Sequence, residues 1–293
     1  MPNNPLVTVI CLCYNQEAYV IESLNSVINQ SYPFIELIIV DDFSTDNSKK
    51  TIIKWLEKNP EIRFISNESN LGITKSFNKA LEFAKGKYII DLAADDVLLY
   101  NCVASQINAF STSSFKNLGV VYGNAELISE TGSFDSFYFP VNAQKKVIQK
   151  RITGDIYENV LSDFYSMCSV SAMIKKSVLE HLGGYDESLA YEDLDFWVRA
   201  SRMYEFDFID EPTIQKRIVT HSLAANFYKK NDSRAKKIDY STYLILKKAI
   251  QLNRSKKEDL AIQKRIHNEI MHCLKNRNYG LVWRNLELRI ILA

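Results

Sequence analysis

The first hundred residues alternate between short β-rich apolar runs and helical patterns, and that rhythm constrains the fold most. Residues 6–13 (LVTVICLC), 35–40 (IELIIV), 63–65 and 87–92 read as strands. Between them, residues 17–30 carry helical spacing through Val20, Leu24, Val27 and Ile28. A second helix is expected over residues 47–58, after the capping group Ser44-Thr45-Asp46, and a third over residues 74–84, closing near Gly86. Strand and helix in this order mean βαβ units and an α/β fold: a mostly parallel, doubly wound, Rossmann-like sheet with helices on both faces. Ligands on such sheets bind at the carboxyl ends of the strands. The residues just past those ends are Tyr14-Asn15-Gln16-Glu17, Asp41-Asp42-Phe43-Ser44, residues 67–72, and Asp95-Asp96. All four groups are polar and are expected along one rim.

Downstream the pattern is mixed. LGVVYGNAEL reads as a strand, residues 133–146 as a loop, and residues 175–182 as a helix stopped by Gly183-Gly184. Residues 192–203 (EDLDFWVRASRM) form another helical pattern, with Phe196, Trp197 and Ala200 on its apolar side; Trp197 is read as core. From residue 229 onward the pattern is helical and basic, with sixteen Lys/Arg against six Asp/Glu. The rest is acidic, twenty against twenty-nine, so the overall +1 averages two unlike regions. Five cysteines in no metal-site or CxxC spacing read as small buried hydrophobes, with Cys11 and Cys13 on one face of their strand.

Carboxylates gathered at strand ends repel one another unless something positive lies between them. Asp95-Asp96 taken alone reads as a helix cap ahead of the apolar Val97-Leu98-Leu99. Asp41-Asp42 at the end of another strand of the same sheet shifts the reading toward a cation and phosphates. Hard oxygen ligands suit Mg²⁺ or Mn²⁺, held by one or two carboxylates plus substrate phosphates.

Three segments in order carry a resemblance: VTVICLCYNQEAYVIESLNSVINQSYPFIELIIVDDFSTDNS, NLGITKSFNKALEFAKGKYIIDLAADD and GGYDESLAYEDLDFW. Over roughly residues 6–221 the chain resembles the family 2 glycosyltransferases, inverting enzymes of GT-A fold. That resemblance implies a divalent metal, Mn²⁺ or Mg²⁺, and a nucleotide-sugar donor, with a UDP-sugar favoured. The acceptor it implies is a saccharide, free or lipid-linked, in glycan or polysaccharide synthesis. By the same resemblance Tyr14 and Glu17 line the nucleoside pocket, and Asp42, with Asp41 beside it, meets the base. Lys75 and Asn78 approach the nucleotide, Asp95 holds ribose or sugar, Asp96 ligates the metal, and His221 adds a metal or diphosphate contact. Asp193 of the Glu192-Asp193 pair matches the base that takes the acceptor's proton. Two departures stand out: Ala93 replaces an acid common in the family, and Phe77 a basic residue. They keep open the alternative of a degenerate member that binds without transfer. A sugar nucleotidyltransferase lacks support, because no glycine-rich phosphate loop follows the first strand.

The expected layout is a catalytic region over residues 1–228, divided near residue 100 into nucleotide and acceptor halves, and a helical extension over residues 229–293. Ile262, Ile266, Ile270 and Leu274 make a four-residue stripe in that extension. It fits packing on the catalytic region or on a second copy, and it fits peripheral contact with an anionic membrane. Nucleic-acid binding is not supported, since basic and aromatic residues do not interleave. No run is apolar for long enough to span a bilayer, and MPNNPLVTVI lacks a basic start with an apolar signal run. The expectation is a cytoplasmic protein, peripheral on the cytoplasmic membrane face if the tail meets lipid.

Overall fold

The computed structural model describes residues 4–162, 166–219 and 233–292. Strands β1 (Val7–Cys13), β2 (Ile35–Asp41), β3 (Arg63–Ser66) and β4 (Tyr88–Ala93) lie parallel in the order β3-β2-β1-β4. Helices α1 (Val20–Ile28), α2 (Ser48–Leu56) and α3 (Ile73–Leu81) connect them. The unbroken Val/Ile/Leu runs of β1 and β2 are explained by burial on both faces. Register puts Cys13 opposite Asp41 and Leu12 opposite Ala93. The ladder then continues past the strand ends, from the Asp42 amide to the Cys13 carbonyl (2.8 Å) and from the Ala94 amide to that of Leu12 (3.0 Å). The polar groups after β1, β2 and β4 are thereby held along one rim.

The acidic pair after β4 is not a helix cap. Residues Val97–Leu98 form a short strand, β5, paired antiparallel with β9 (Glu205–Arg217), Val97 opposite Gln215. Asp95 and Asp96 occupy the turn between β4 and β5, closed by the Asp96 amide on the Ala93 carbonyl at 3.0 Å. The partner strand lies far away in sequence, so local pattern could not reveal it. The next helix, α4, begins only at Cys102 and ends at Thr112.

The sheet continues through β6 (Leu118–Ile128) and β8 (Met173–Lys175), and β7 (Phe134–Phe137) pairs with β6 inside the segment read as a loop. Helices α5 (Tyr157–Ser162), α6 (Lys176–Leu182) and α7 (Glu192–Met203) complete this half. Gly183 ends α6 in the left-handed conformation, φ 73°. Gly184 follows at φ 72°, and a Cβ there would sit 2.4 Å from Oδ1 of Asn78, so the loop can approach α3 only with glycine. All five cysteines are buried and free.

Three helices follow: α8 (Ser233–Leu252), α9 (Lys256–Lys275) and α10 (Tyr279–Ile291). Ser255 caps α9 by accepting the Glu258 amide at 3.3 Å. Of the four-residue stripe, Ile262, Ile266 and Ile270 are buried and Leu274 is exposed. The stripe packs inward, and the buried apolar residues of sheet and tail form one contiguous core. A mostly buried ion pair fastens α7 to α9, Arg202 Nη1 to Glu258 Oε1 at 2.7 Å, with the guanidinium 4.2 Å above the Tyr157 ring. No helix of the described residues is long and apolar enough to cross a membrane.

Arg202→Met leaves Glu258 without its cation and should lower the unfolding free energy by about 3 kcal/mol. Arg202→Met with Glu258→Leu should recover most of that loss, both read by urea denaturation.

Candidate active site

On the β1–β2 side of the rim, two loops are stitched together. Asn15 is held at φ 56°, with its Oδ1 accepting the Thr45 amide at 2.8 Å. The Gln16 amide donates to Ser48 Oγ (2.8 Å), and Glu17 Oε2 accepts the Asn47 amide (2.7 Å). Tyr14 stands exposed beside them. Asp42 is tied into the next loop: Oδ1 accepts from Asn67 Nδ2 (2.9 Å) and the Leu71 amide (2.8 Å), and Oδ2 from the Gly72 amide (2.9 Å). Asp41 is fully buried; its Oδ2 takes the Ser44 amide at 3.3 Å, while Oδ1 has no partner among the described residues. Asp41 is thus sealed beneath the rim, while Asp42 keeps a slight exposure and, among the described residues, accepts only one bond at Oδ2.

Lys75 is exposed on the first turn of α3. Asn78, one turn on, joins α3 to the loop before α7: it accepts the Tyr185 amide (3.0 Å) and donates to the Tyr185 carbonyl (2.9 Å) and to Glu187 (3.0 Å). Phe77 is buried with its ring 4.6 Å from that of Tyr185. The site thus replaces a basic residue with an aromatic contact that positions Tyr185.

The turn after β4 is organised by Arg217 at the end of β9. Its amide donates to Asp96 Oδ1 at 2.9 Å, and its Nε to the Asp95 carbonyl at 3.0 Å. Nη1 reaches the carbonyls of Ser129 and Glu130, and Nη2 pairs with Glu22 of α1 at 2.6 Å. Asp95 Oδ2 takes a longer bond from Gln16 Nε2, 3.3 Å. Burial pushes the Asp96 carboxyl up to about 7, and the neighbouring Asp95 charge adds to the push. Asp95 is raised by its own burial. Oδ2 of Asp96 has no hydrogen-bond partner among the described residues. Hard oxygens at one or two carboxylates, completed by phosphate oxygens and water, fit a Mg²⁺ or Mn²⁺ ion. Among the described residues no cluster of three metal-ligating side chains forms, and His221 lies outside those residues.

A second acidic group lies at the start of α7. Asp193 Oδ1 accepts the Leu194 amide at 2.7 Å, and burial raises its pKa against the pull of Ser169. Glu192 is pushed up to about 7 by burial and by Asp193. Asp91 joins them from β4, two residues before Ala93 and on the same face of the strand. Its Oδ2 accepts the Tyr185 hydroxyl at 3.1 Å, and burial, reinforced by Asp193, brings it to about 7. A carboxylate thus stands on the face of β4 that Ala93 shares, one strand repeat earlier. Beside Asp193 opens a cavity of about 220 Å³, walled by Tyr138, Tyr191 and Trp197. Ser169, Lys216 and Arg265 supply polar lining, the last from α9. Trp197 is buried, as its core reading requires, yet its edge faces this cavity and its Nε1 donates to Ser169 (3.1 Å). Lys216 forms no ion pair among the described residues, and its charge draws down Asp95, Asp96 and Asp193 alike.

Asp91, Tyr185, Lys216, Arg217 and Arg265 were not foreseen from the sequence. Only the adjacent Lys216-Arg217 pair, closing a strand shortly before His221, offered a signal.

The profile of the glycosyl transferase family 2 matches residues 8–183. The chain belongs to this family. An uncharacterized glycosyltransferase of Methanocaldococcus jannaschii is 34% identical over 220 residues, 74% of this chain and 72% of the relative. The UDP-Glc:alpha-D-GlcNAc-diphosphoundecaprenol beta-1,3-glucosyltransferase WfgD of Escherichia coli is 31% identical over 135 residues, 46% of this chain and 51% of its own length. Among solved structures, the mannosyltransferase PcManGT of Pyrobaculum calidifontis, in complex with GDP-Man and Mn²⁺, superposes with TM-score 0.62 at 18% identity, covering 98% of this chain and 74% of that one. S. aureus TarS 1–349 with UDP-GlcNAc gives TM-score 0.65 at 18% identity, over 88% and 71%. These likenesses establish the GT-A fold, and the protein is a family 2 glycosyltransferase.

The raised Asp96 carboxyl has a consequence for stability. Its folded pKa of about 7 exceeds the unfolded value, so its contribution to stability is lost as pH rises through the folded pKa. Asp96→Asn removes the buried charge and keeps the acceptor for the Arg217 amide. The variant should gain thermal stability over the ligand-free parent between about pH 4 and pH 7, levelling off above, by about 1 kcal/mol or more at pH 8.

Proposed function

We propose that this glycosyltransferase moves a sugar, with inversion, from a nucleoside-diphosphate-sugar donor to an acceptor hydroxyl, assisted by Mn²⁺ or Mg²⁺. The observation that carries the reading is that the end of β9 joins two acidic groups: the Arg217 amide binds Asp96, and the adjacent Lys216 lines the cavity beside Asp193. The solved neighbours hold GDP-Man with Mn²⁺ or UDP-GlcNAc, and the E. coli relative is named for a UDP-Glc donor and a diphosphoundecaprenol-linked acceptor. A UDP-sugar is the favoured donor, and a saccharide, free or lipid-linked, the acceptor, in glycan or polysaccharide synthesis on the cytoplasmic side.

In this reading Tyr14 and the loop held by Glu17 receive the nucleoside, and Asp42 meets the base, with Asp41 buried beside it. Asp42 also braces the loop at Leu71-Gly72, Asn78 fixes the loop before α7, and exposed Lys75 stands at the nucleotide's entrance. Asp95 meets ribose or sugar, and Asp96 holds the metal together with the diphosphate; His221 is a further candidate ligand. The metal would neutralise the departing diphosphate. The acceptor hydroxyl, seated in the cavity beside Asp193, attacks the anomeric carbon as the bond to the diphosphate oxygen breaks, and its proton passes to Asp193. Burial of Asp193 makes it a stronger base than an exposed aspartate.

Asp193→Asn should lower transfer by about 10²–10⁴-fold and leave nucleotide affinity unchanged. In the parent, turnover should fall as pH drops through the raised pKa of Asp193, with the acid limb above the ordinary carboxylate value of about 4. Equal turnover in both proteins would reject Asp193 as the base. Asp96→Ala should abolish Mn²⁺-dependent UDP binding by calorimetry. Turnover absent with every UDP- and GDP-sugar, despite binding, would favour the non-transferring alternative.

A further inference from the structure

Helix α10 carries apolar residues on two faces. Leu281, Val282 and Leu288 are buried where the helix packs on α8 and α9. Tyr279, Trp283, Leu286 and Ile290 follow one another at i, i+4, i+7 and i+11, which confines them to one narrow sector of the helix. Leu286 is half-buried against the core, whereas Tyr279 is 60% exposed, Trp283 69% and Ile290 74% among the described residues. Ile291 is exposed beside it. Among the described residues, Tyr279, Trp283 and Ile290 take no part in the core that the inward stripe of α9 joins.

The segment that carries the sector is cationic. Over residues 275–291, Lys275, Arg277, Arg284 and Arg289 stand against one acid, Glu287, which lies beside Trp283 one turn on. Arg284 is steadied at the flank, its guanidinium 5.2 Å from the Tyr240 ring and 5.6 Å from that of Tyr243. A symmetric contact between two copies would gather the four cations of each copy at one interface, with only Glu287 from each to offset them. An anionic surface would neutralise them while the aromatic and aliphatic side chains enter the headgroup boundary, where Trp and Tyr are favoured. We propose that the Tyr279–Trp283–Ile290 face of α10 docks this protein on an anionic lipid bilayer. The inference rests on this helix alone and stands independently of the transfer chemistry.

Trp283 is also the reporter, since Trp55 and Trp197 are tucked into the fold. Vesicles of equal parts phosphatidylglycerol and phosphatidylcholine should sediment the full chain and shift its tryptophan emission to the blue. Phosphatidylcholine alone should do neither, and high salt should weaken the binding. Trp283→Ala with Ile290→Ser should reduce vesicle affinity at least tenfold with the melting temperature unchanged. Ile290→Ser alone, which keeps the fluorophore, should reduce both sedimentation and the blue shift. No binding to the anionic vesicles would overturn the proposal, as would undiminished binding by the double variant. A lipid-free dimer in analytical ultracentrifugation that the double variant dissociates would also overturn it and assign the face to a second copy.

Discussion

Arg217 ties the end of β9 to the turn between β4 and β5, and the placement of Asp95 and Asp96 depends on that contact. Two adjacent aspartates on a buried turn repel each other and lose water. Arg217 compensates with its amide on the Asp96 carboxylate and its guanidinium on the Asp95 main chain. The guanidinium also meets two carbonyls of the turn after β6, and Glu22 balances its charge. One side chain thus joins α1, β4, β6 and β9. Because every arm is committed, Arg217 acts as scaffold, while Lys216, its neighbour on the opposite face of the strand, lines the cavity beside Asp193.

The carboxylates held this way are poised between protonation states. Asp96, Asp91 and Glu192 are each pushed to about 7, and burial is the leading cause in every case. A buried acid that holds its proton is stable without a ligand and binds a cation more readily once the proton leaves. The same burial that burdens the fold raises Asp193, the proposed base. In the proposed reaction, stability and activity would respond to pH in opposite senses around these groups.

Much of this was legible in the sequence because it is local. The Val/Ile runs of β1, β2 and β4, the glycine stop of α6 and the acidic opening of α7 all follow from neighbouring residues. The rim follows too, since parallel strands in βαβ units must end on the same side. Ala93 and Phe77 were read as departures; Asp91 stands on the face of β4 that Ala93 shares, one repeat earlier, and Phe77 packs on the tyrosine that binds Asp91. Asp91 escaped notice because its strand reads as uniformly buried until Tyr185 and Asp193 are brought beside it.

By itself the sequence determined the βαβ frame, the acidic rim and membership of the glycosyltransferase family, because periodicity and motif order are short-range properties. Only tertiary structure decided that Asp95-Asp96 sits on a strand turn rather than a helix cap, since β5 forms by pairing with a strand over a hundred residues later. It also decided which apolar stripe of the basic tail faces inward. Ile262, Ile266 and Ile270 and the α10 sector have similar helical spacing, and only the surface each helix meets can tell them apart. Tertiary packing likewise brings Arg265 of that tail to the cavity beside Asp193.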